Sequence, residues 1–552
     1  MIERKRRLLR AVMLWIIETG LNLLRHSAAR KAQPPSGQNE ALAKLKRLAG
    51  VILQQAIAQG HTCIPLDELA RLLCSRHKGI AEGDVVYALR QLSQCGDISV
   101  RGDIVSLPHI ARAEEIIAHR LRYIGRRSRG INPRLLVEWA NVEGDQLNDE
   151  QRAAIRILAA SPIAILTGAP GTGKTMTIKA LSAILERAGY QVHLTAPTGR
   201  AAARLSEATG KPAQTLHRLL HNNRQQQPIR DLIIPTIKEA IIVDEASMLD
   251  LFLAERLVEF CTSRTRLIFA GDVHQLPPVG PGQVFRDLLE SGQIPVVELT
   301  NTFRQSEKSS ITAAARRIKA GVAPELPSPG AAQSDCYFIE ASSVVEIQRL
   351  VVTAATSSLP KRCGADPHRD VQVLTPMRKG PLGTITLNNL IRDSLSQFAA
   401  EANPSAQPSQ PDFQPNDRVL QTRNNYDLGV FNGECGIVEE ATSETVTVRF
   451  GGRRVEYHRT SFAELAHGFA ITIHRSQGSE YPFVIIPVHE SQSVMLAREL
   501  LYTALTRGRK MVVLIGSRRA FVQAINTTRS NRHTGLKDLL SPSTTLSTKK
   551  AA

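Results

Sequence analysis

Gly168-Ala169-Pro170-Gly171-Thr172-Gly173-Lys174-Thr175 follows the apolar run Ile163-Ala164-Ile165-Leu166 and leads into a helical stretch. Glycines at this spacing let backbone N–H groups turn inward around phosphate oxygens, a lysine reaches the β and γ oxygens, and the closing threonine hydroxyl can hold Mg²⁺. Further on, the apolar strand Ile241-Ile242-Val243 ends in two carboxylates, Asp244 and Glu245. Asp244 is expected to hold Mg²⁺, directly or through water, and Glu245 to polarise an attacking water. Leu267 to Ala270 is another apolar run, leading through Gly271-Asp272 to Gln275, a side chain able to sense a γ-phosphate without titrating. Phosphoryl transfer also needs positive charge on the transferred group, and an inserted arginine adds about 10³- to 10⁵-fold in rate. Arg304 and Arg507 are the candidates. No further carboxylate cluster with an E-x-K pattern accompanies this set, so metal-assisted phosphodiester cleavage is not expected.

Such residues need strand ends to carry them. From Leu147 onward, short apolar runs at Ile163 to Leu166, Val192 to Leu194, Ile241 to Val243, Leu267 to Ala270 and Val296 to Leu299 alternate with helical segments. That is the pattern of a parallel sheet covered by helices. A second series at Val371 to Leu374, Val484 to Pro487 and Val512 to Ile515 predicts a second α/β core in tandem. Within it, Asn432-Gly433 and Gly451-Gly452 punctuate short alternating strands at Cys435 to Glu439, Thr445 to Phe450 and Arg453 to Tyr457, which predicts a small inserted barrel. Before the first core, helical spacing over Pro65 to Leu73 and Ala81 to Gln94 and a hairpin around Arg101-Gly102-Asp103 predict a winged-helix-like module.

The chain has 552 residues, which suggests about three or four domains. Its 69 Lys and Arg against 51 Asp and Glu give a net charge of +18, which points toward an anionic partner such as nucleic acid. Seven widely spaced cysteines with no C-x-x-C pair suggest reduced thiols rather than a disulfide framework or a zinc site, hence an expected cytoplasmic location. The basic cluster Arg4 to Arg7 and the apolar stretch Ala11 to Leu24 mimic a signal peptide, but Glu18 and Asn22 interrupt it, so an amphipathic or poorly ordered tail is expected. No other stretch approaches the length of a membrane span. Lys31 to Asn39 and the proline-rich Ala399 to Pro415 read as linkers, and the Ser/Thr-rich end after Ser541 as a disordered tail.

Taken in order, the motifs resemble those of superfamily 1 helicases of the RecD-like branch. Asn148-Asp149-Glu150-Gln151 resembles the adenine-reading motif, with Gln151 in the recognising position. Thr195-Ala196-Pro197-Thr198-Gly199-Arg200 and Thr215-Leu216-His217-Arg218 resemble two DNA-contacting motifs, and Thr472 to Glu480 resembles the motif that joins the ATP and DNA sites. The resemblance covers about Ala41 to Gly516, including the start of the barrel at Gln421 to Tyr426. It implies an α/β fold with two tandem RecA-like cores over 131–305 and 306–425 with 463–540. A winged-helix-like module over 40–130 precedes them, and an SH3-like barrel over 426–462 is inserted in the second core. A basic tail and linker over 1–39 and a tail over 541–552 flank these. A strand-splitting hairpin would fall near His221 to Pro235, where the turn signal is weak.

The resemblance further implies an ATP- and Mg²⁺-dependent motor moving 5′→3′ on single-stranded DNA and acting at single-strand/duplex junctions, in recombination or repair. Gln151, Gly168 to Thr175 and Glu480 would hold nucleotide, and Thr175 and Asp244 the metal. Lys174, Glu245, Gln275, Arg304 and Arg507 would carry catalysis. Pro197, Thr198, Arg200, Thr215, His217, Thr472 and His474 would hold DNA, chiefly at phosphates. Two other readings keep the same motifs: a DNA-stimulated ATPase that remodels protein–DNA complexes without separating strands, and a DNA-binding scaffold switched by nucleotide.

Overall fold

A computed structural model describes residues 36–76, 82–127, 131, 147–221, 238–301, 309–402, 412–425, 427–528 and 532–541. Arg304, the strand-splitting segment expected beyond His221, most of the basic tail and linker, and the tail after Ser541 lie outside them.

The chain divides into two compact units, the smaller formed by residues up to Ala56 with Cys63–Pro108 and the larger by Ile57–Thr62 with the residues from His109 onward. In the smaller unit, helices Ser36–Ala58, Leu66–Arg76 and Glu82–Gln94 accompany a sheet of strands Ile64–Pro65, Ile104–Ser106 and Ser99–Arg101. Leu53, Leu69, Leu73, Leu89 and Val105 bury together because their spacing puts them on one face of each element. Two of these helices and the hairpin fall where the sequence predicts them, whereas helix Ser36–Ala58 was not predicted and begins inside the stretch read as a linker over Lys31 to Asn39. Helix Pro108–Arg127, assigned from sequence to the same module, belongs from His109 onward to the larger unit. Its buried face includes Ile110, Ala113, Ile117, Leu121 and Ile124, and Arg120 donates to the carbonyl of Val258 at 3.2 Å.

The larger unit holds two parallel sheets. The first has six strands in the order Ala213–Thr215, Tyr190–Ala196, Lys238–Val243, Arg266–Gly271, Ile163–Gly168 and Val296–Leu299. All six residues of Ile163–Gly168 and of Arg266–Gly271 are buried, as expected for central strands covered on both faces. The second has five strands in the order Cys336–Glu340, Gly508–Gly516, Tyr481–Val488, Val371–Thr375 and Ala470–Thr472.

Between the last two of these in sequence space lies an antiparallel sheet ordered Arg453–His458, Thr445–Phe450, Cys435–Ala441, Arg418–Gln421 and Leu465–His467. The expected barrel bounds of 426–462 are thus too narrow. Arg418–Gln421 is buried at every residue, which removes the alternation that reveals a strand, and Leu465–His467 is too short to show a period.

The chain ends by crossing back. After helix Arg518–Asn526 on the second core, Arg532 donates to the carbonyls of Pro278, Gly280 and Gly282 on the first, each at 2.7 Å. Thr534 donates to Asp287 Oδ1 at 2.8 Å, and Leu536 and Leu540 bury beside helix Val284–Glu290. Glu114 secures the return, accepting from Thr62 Oγ1 at 2.6 Å and from the Gly535 N–H at 2.9 Å.

A candidate nucleotide site between two cores

Strand Ile163–Gly168 delivers the glycine-rich loop, and helix Lys174–Arg187 leaves it. Gly171 and Gly173 both have φ of 85°, a left-handed conformation that glycine adopts without strain. No side chain caps the helix at Gly173, so its first-turn N–H groups and the positive end of its dipole are available to an anion. The Lys174 ammonium donates to the carbonyls of Gly168 at 2.6 Å and Ala169 at 3.1 Å. Burial lowers its pKa, while Asp272, Glu245 and Asp244 pull it back up.

Asp244 and Glu245 stand at the end of strand Lys238–Val243, beside the loop. Burial, then the neighbouring Glu245, raises the Asp244 carboxyl to about 6, against the opposing pull of Lys174 and Arg204. Glu245 has φ of 51°, a strained value for a non-glycine residue that costs roughly 1–3 kcal/mol. The Glu245 N–H donates to Asp244 Oδ1 at 2.9 Å, which helps to hold the Asp244 carboxylate in place.

A cavity of about 580 Å³ opens at this point. The first core lines it with Gly171, Lys174, Thr175, Asp244, Glu245 and Gln275, and the second with Gly478, Ser479, Glu480 and Arg507. Arg507 is fully buried, donating to Thr503 O at 3.2 Å and Ser479 O at 3.1 Å. Burial lowers its pKa, and the Glu245 carboxylate is the leading opposing influence. Gln275 is buried, with its Oε1 lacking a hydrogen-bond partner, an atom that a water or ligand in the cavity could satisfy. Inward N–H groups, one lysine, two carboxylates and a buried arginine fit a nucleoside triphosphate. Thr175 and Asp244 fit Mg²⁺, which takes few protein ligands and shares the rest with phosphates and water. Among the described residues there is no group of three His, Cys, Asp or Glu that would hold a metal independently.

Gln151 is absent from the lining of this cavity. It is the third residue of helix Asp149–Ala160, and its side-chain carbonyl accepts from the Asn148 N–H at 3.1 Å while Asn148 Oδ1 accepts from the Gln151 N–H at 2.7 Å. This capping box leaves the Gln151 amide N–H₂ as the group that could meet a base. Glu150 accepts from the N–H groups of Thr300 at 2.8 Å and Asn301 at 3.2 Å, fastening the approach to Arg304 against the same helix.

Three threonines assigned to DNA share one local arrangement. Thr198 lies just past strand Tyr190–Ala196, Thr215 ends Ala213–Thr215 and Thr472 ends Ala470–Thr472. Each hydroxyl accepts a backbone N–H three residues on, from Ala201 at 3.3 Å, Arg218 at 3.2 Å and Arg475 at 3.4 Å. An accepting hydroxyl keeps its own proton to donate, as a phosphate oxygen requires. Carboxyl ends of parallel strands are where open α/β sheets take ligands. Pro197 is partly exposed beside Thr198; His217 is exposed on helix Leu216–His221, and His474 is partly exposed after Thr472. Arg200 has partners within the protein. Its guanidinium lies 5.1 Å from the Tyr481 ring centroid and donates to Cys435 Sγ at 3.6 Å, so it reaches across to the second core and barrel and also lines the cavity.

Arg204 escaped the sequence reading, although it donates to Glu480 across the cleft. Tyr502 also escaped it, although its hydroxyl donates to Asp272 Oδ2 at 2.8 Å. Pairs separated by more than 200 residues carry no local signal. None of the described helices is long and apolar enough to cross a membrane, and no disulfide joins any of the seven cysteines.

Comparison with known proteins accords with this geometry. Residues 146–333 match the AAA domain family, 387–450 the ATP-dependent RecD-like DNA helicase SH3 domain and 467–515 the UvrD-like helicase C-terminal domain. The chain is 35% identical over 451 residues to the ATP-dependent RecD2 DNA helicase of Deinococcus radiodurans, covering 78% of this chain and 58% of that protein. It is 32% identical over 439 residues to the RecBCD enzyme subunit RecD of Mycolicibacterium smegmatis, covering 71% of this chain and 75% of that protein. A Pif1 helicase from Bacteroides, solved with ADP-AlF3 and single-stranded DNA, aligns with a TM-score of 0.40 at 18% identity over 67% of this chain and 92% of that one.

Proposed function

The chain belongs to the RecD-like helicases, and from that premise we propose that it is a cytoplasmic DNA helicase that couples ATP hydrolysis to 5′→3′ movement along single-stranded DNA and to unwinding at single-strand/duplex junctions. The observation that carries this reading is the shared cavity: Lys174, Thr175, Asp244, Glu245 and Gln275 come from one core, and Glu480 and Arg507 from the other. A triphosphate held there would bridge two bodies, and its hydrolysis would remove the bridge.

In this reading the loop N–H groups and Lys174 orient the β and γ phosphates. When bound through Thr175 and Asp244, Mg²⁺ supplies positive charge to the phosphate oxygens. Glu245 orients a water and takes up its proton, Gln275 responds to the γ-phosphate, and Arg507 stabilises charge as the bond to that phosphate breaks. Arg304 completes the positive set, and the Gln151 amide reads the base. Thr198, Thr215 and Thr472 grip DNA phosphates, with Pro197, His217 and His474 beside them, so sequence preference is weak. Its expected setting is recombination or repair, as the resemblance of its motifs implies.

Duplexes with a single 5′ or 3′ tail, supplied with ATP and Mg²⁺, test the proposal. Unwinding from 5′ tails alone is expected. Unwinding from 3′ tails alone overturns the polarity, and translocation without strand separation on either overturns the helicase in favour of a remodelling ATPase.

A further inference from the structure

Helix Gly199–Thr209, which Thr198 caps, meets the second core and barrel along its first two turns. A Cβ on Gly199 would stand 2.8 Å from Phe431 Cβ of the barrel, and a Cβ on Gly478 would stand 2.9 Å from Ala201 Cβ. Both approaches therefore depend on glycine. Between them Arg200 lies against Tyr481, and one turn later Arg204 pairs with Glu480. Two arginines four apart share a helix face, and they meet two consecutive residues of the opposite core. Glu480 has only 8% of its side chain exposed, so its charge is largely withdrawn from water and paired with Arg204.

Immediately before Glu480, the Ser479 carbonyl accepts from Arg507. A continuous physical path therefore runs from the Thr198 hydroxyl through the capped helix to Arg204, then Glu480, Ser479 and Arg507. Arg204 also stands close enough to Asp244 and Arg507 to act on both electrostatically.

We propose that Arg204 is a positioning residue that transmits DNA occupancy at Thr198 to the hydrolytic site, by holding Glu480 and hence the strand start on which Arg507 is braced. DNA phosphate at the cap fixes the helix, the helix fixes Arg204, and the pair with Glu480 keeps Arg507 directed into the cavity. Arg200, stacked on Tyr481 with Cys435 beside it, keeps the helix from rolling as this happens. The inference rests on the DNA-motor reading above.

The test compares wild type with Arg204→Ala, Arg204→Gln and Arg204→Lys, measuring kcat and KM for ATP with and without saturating oligo(dT), together with oligo(dT) affinity and thermal melting. Arg204→Ala and Arg204→Gln should lose about 5- to 50-fold of the DNA-stimulated kcat, within the usual range of coupling between sites. Oligo(dT) affinity should stay at the wild-type value, and Arg204→Lys should recover part of the stimulation because it restores a charge opposite Glu480. Wild-type stimulation in Arg204→Gln overturns the proposal. So does an equal proportional loss of basal and stimulated rates in a variant that melts like wild type, because that pattern belongs to a structural role. If wild type itself shows no stimulation, the DNA-motor reading fails first and is identified as the cause.

Discussion

The hydroxyl of Tyr502, on the second core, donates to Asp272 Oδ2 on the first at 2.8 Å, and both residues are buried. Burial, then the Asp272 carboxylate, raises the tyrosine pKa well above its ordinary value, so the phenol is held as a donor. The same Asp272 accepts from the His274 N–H at 3.0 Å, and Leu276 in turn accepts from Gln477 at 3.2 Å. The strand end that carries Gln275 is therefore registered against the second core.

Tyr502→Phe should leave Asp272 buried with one donor fewer. A loss of about 1–3 kcal/mol in stability is expected, the cost of stranding a buried acceptor. Chemical denaturation checks this, and a several-fold fall in ATPase kcat at unchanged oligonucleotide affinity should accompany it.

Lys174→Ala and Glu245→Gln should fail differently. The first should abolish turnover with weakened nucleotide binding. The second should bind ATP normally and hydrolyse about 10²- to 10⁴-fold more slowly, the usual effect of removing a positioned base. Fluorescent-nucleotide titration beside phosphate release separates the two, and normal turnover in either variant would refute its assigned role.

Arg507→Ala should retain ATP binding and lose about 10³-fold or more in hydrolysis, as for an arginine acting on the transferred phosphoryl group. Loss of binding with normal kcat would count against that role. Arg507→Lys should not restore the rate, because the guanidinium reaches Thr503 O through Nε and Ser479 O through a terminal nitrogen, a spread of donors that a single ammonium nitrogen lacks.

Asp287 offers a pH test away from the catalytic centre. Burial pushes its carboxyl up to about 7, and the nearby Glu114 adds to this, while hydrogen bonds from Thr534 and Gln283 oppose it. Its folded pKa lies above the unfolded value of about 4, so the stabilising contribution is full below that value and is lost as pH rises through about 7. The thermal midpoint should therefore fall between about pH 4 and pH 7 and level off above, and fall less in Asp287→Asn, which keeps an acceptor for Thr534 without the ionisation. Equal falls in both proteins would remove Asp287 as the cause.

What the sequence made legible follows from burial. Ile163–Gly168, Lys238–Val243 and Arg266–Gly271 stand out because central parallel strands are apolar on both faces, and their ends bear Lys174, Asp244 and Gln275 close by in the chain. Strands Ala213–Thr215 and Ala470–Thr472 were missed because three residues carry no period. Arg200 was read as a DNA contact from its place in a motif, yet its partner Tyr481 is set by tertiary packing. The Asn148 to Gln151 capping box could have been seen in advance, since Asn and Gln at that spacing are its signature.

The return of Arg532 to Leu540 onto the first core has a kinematic consequence. The two lobes are linked both by the 301–309 segment and by the six-residue step from Asn526 to Arg532, which spans at most about 20 Å. Two short links close a circuit. Such a circuit limits how far the lobes can part, so an opening of the nucleotide cleft is expected to take the form of a pivot about the line joining its anchors.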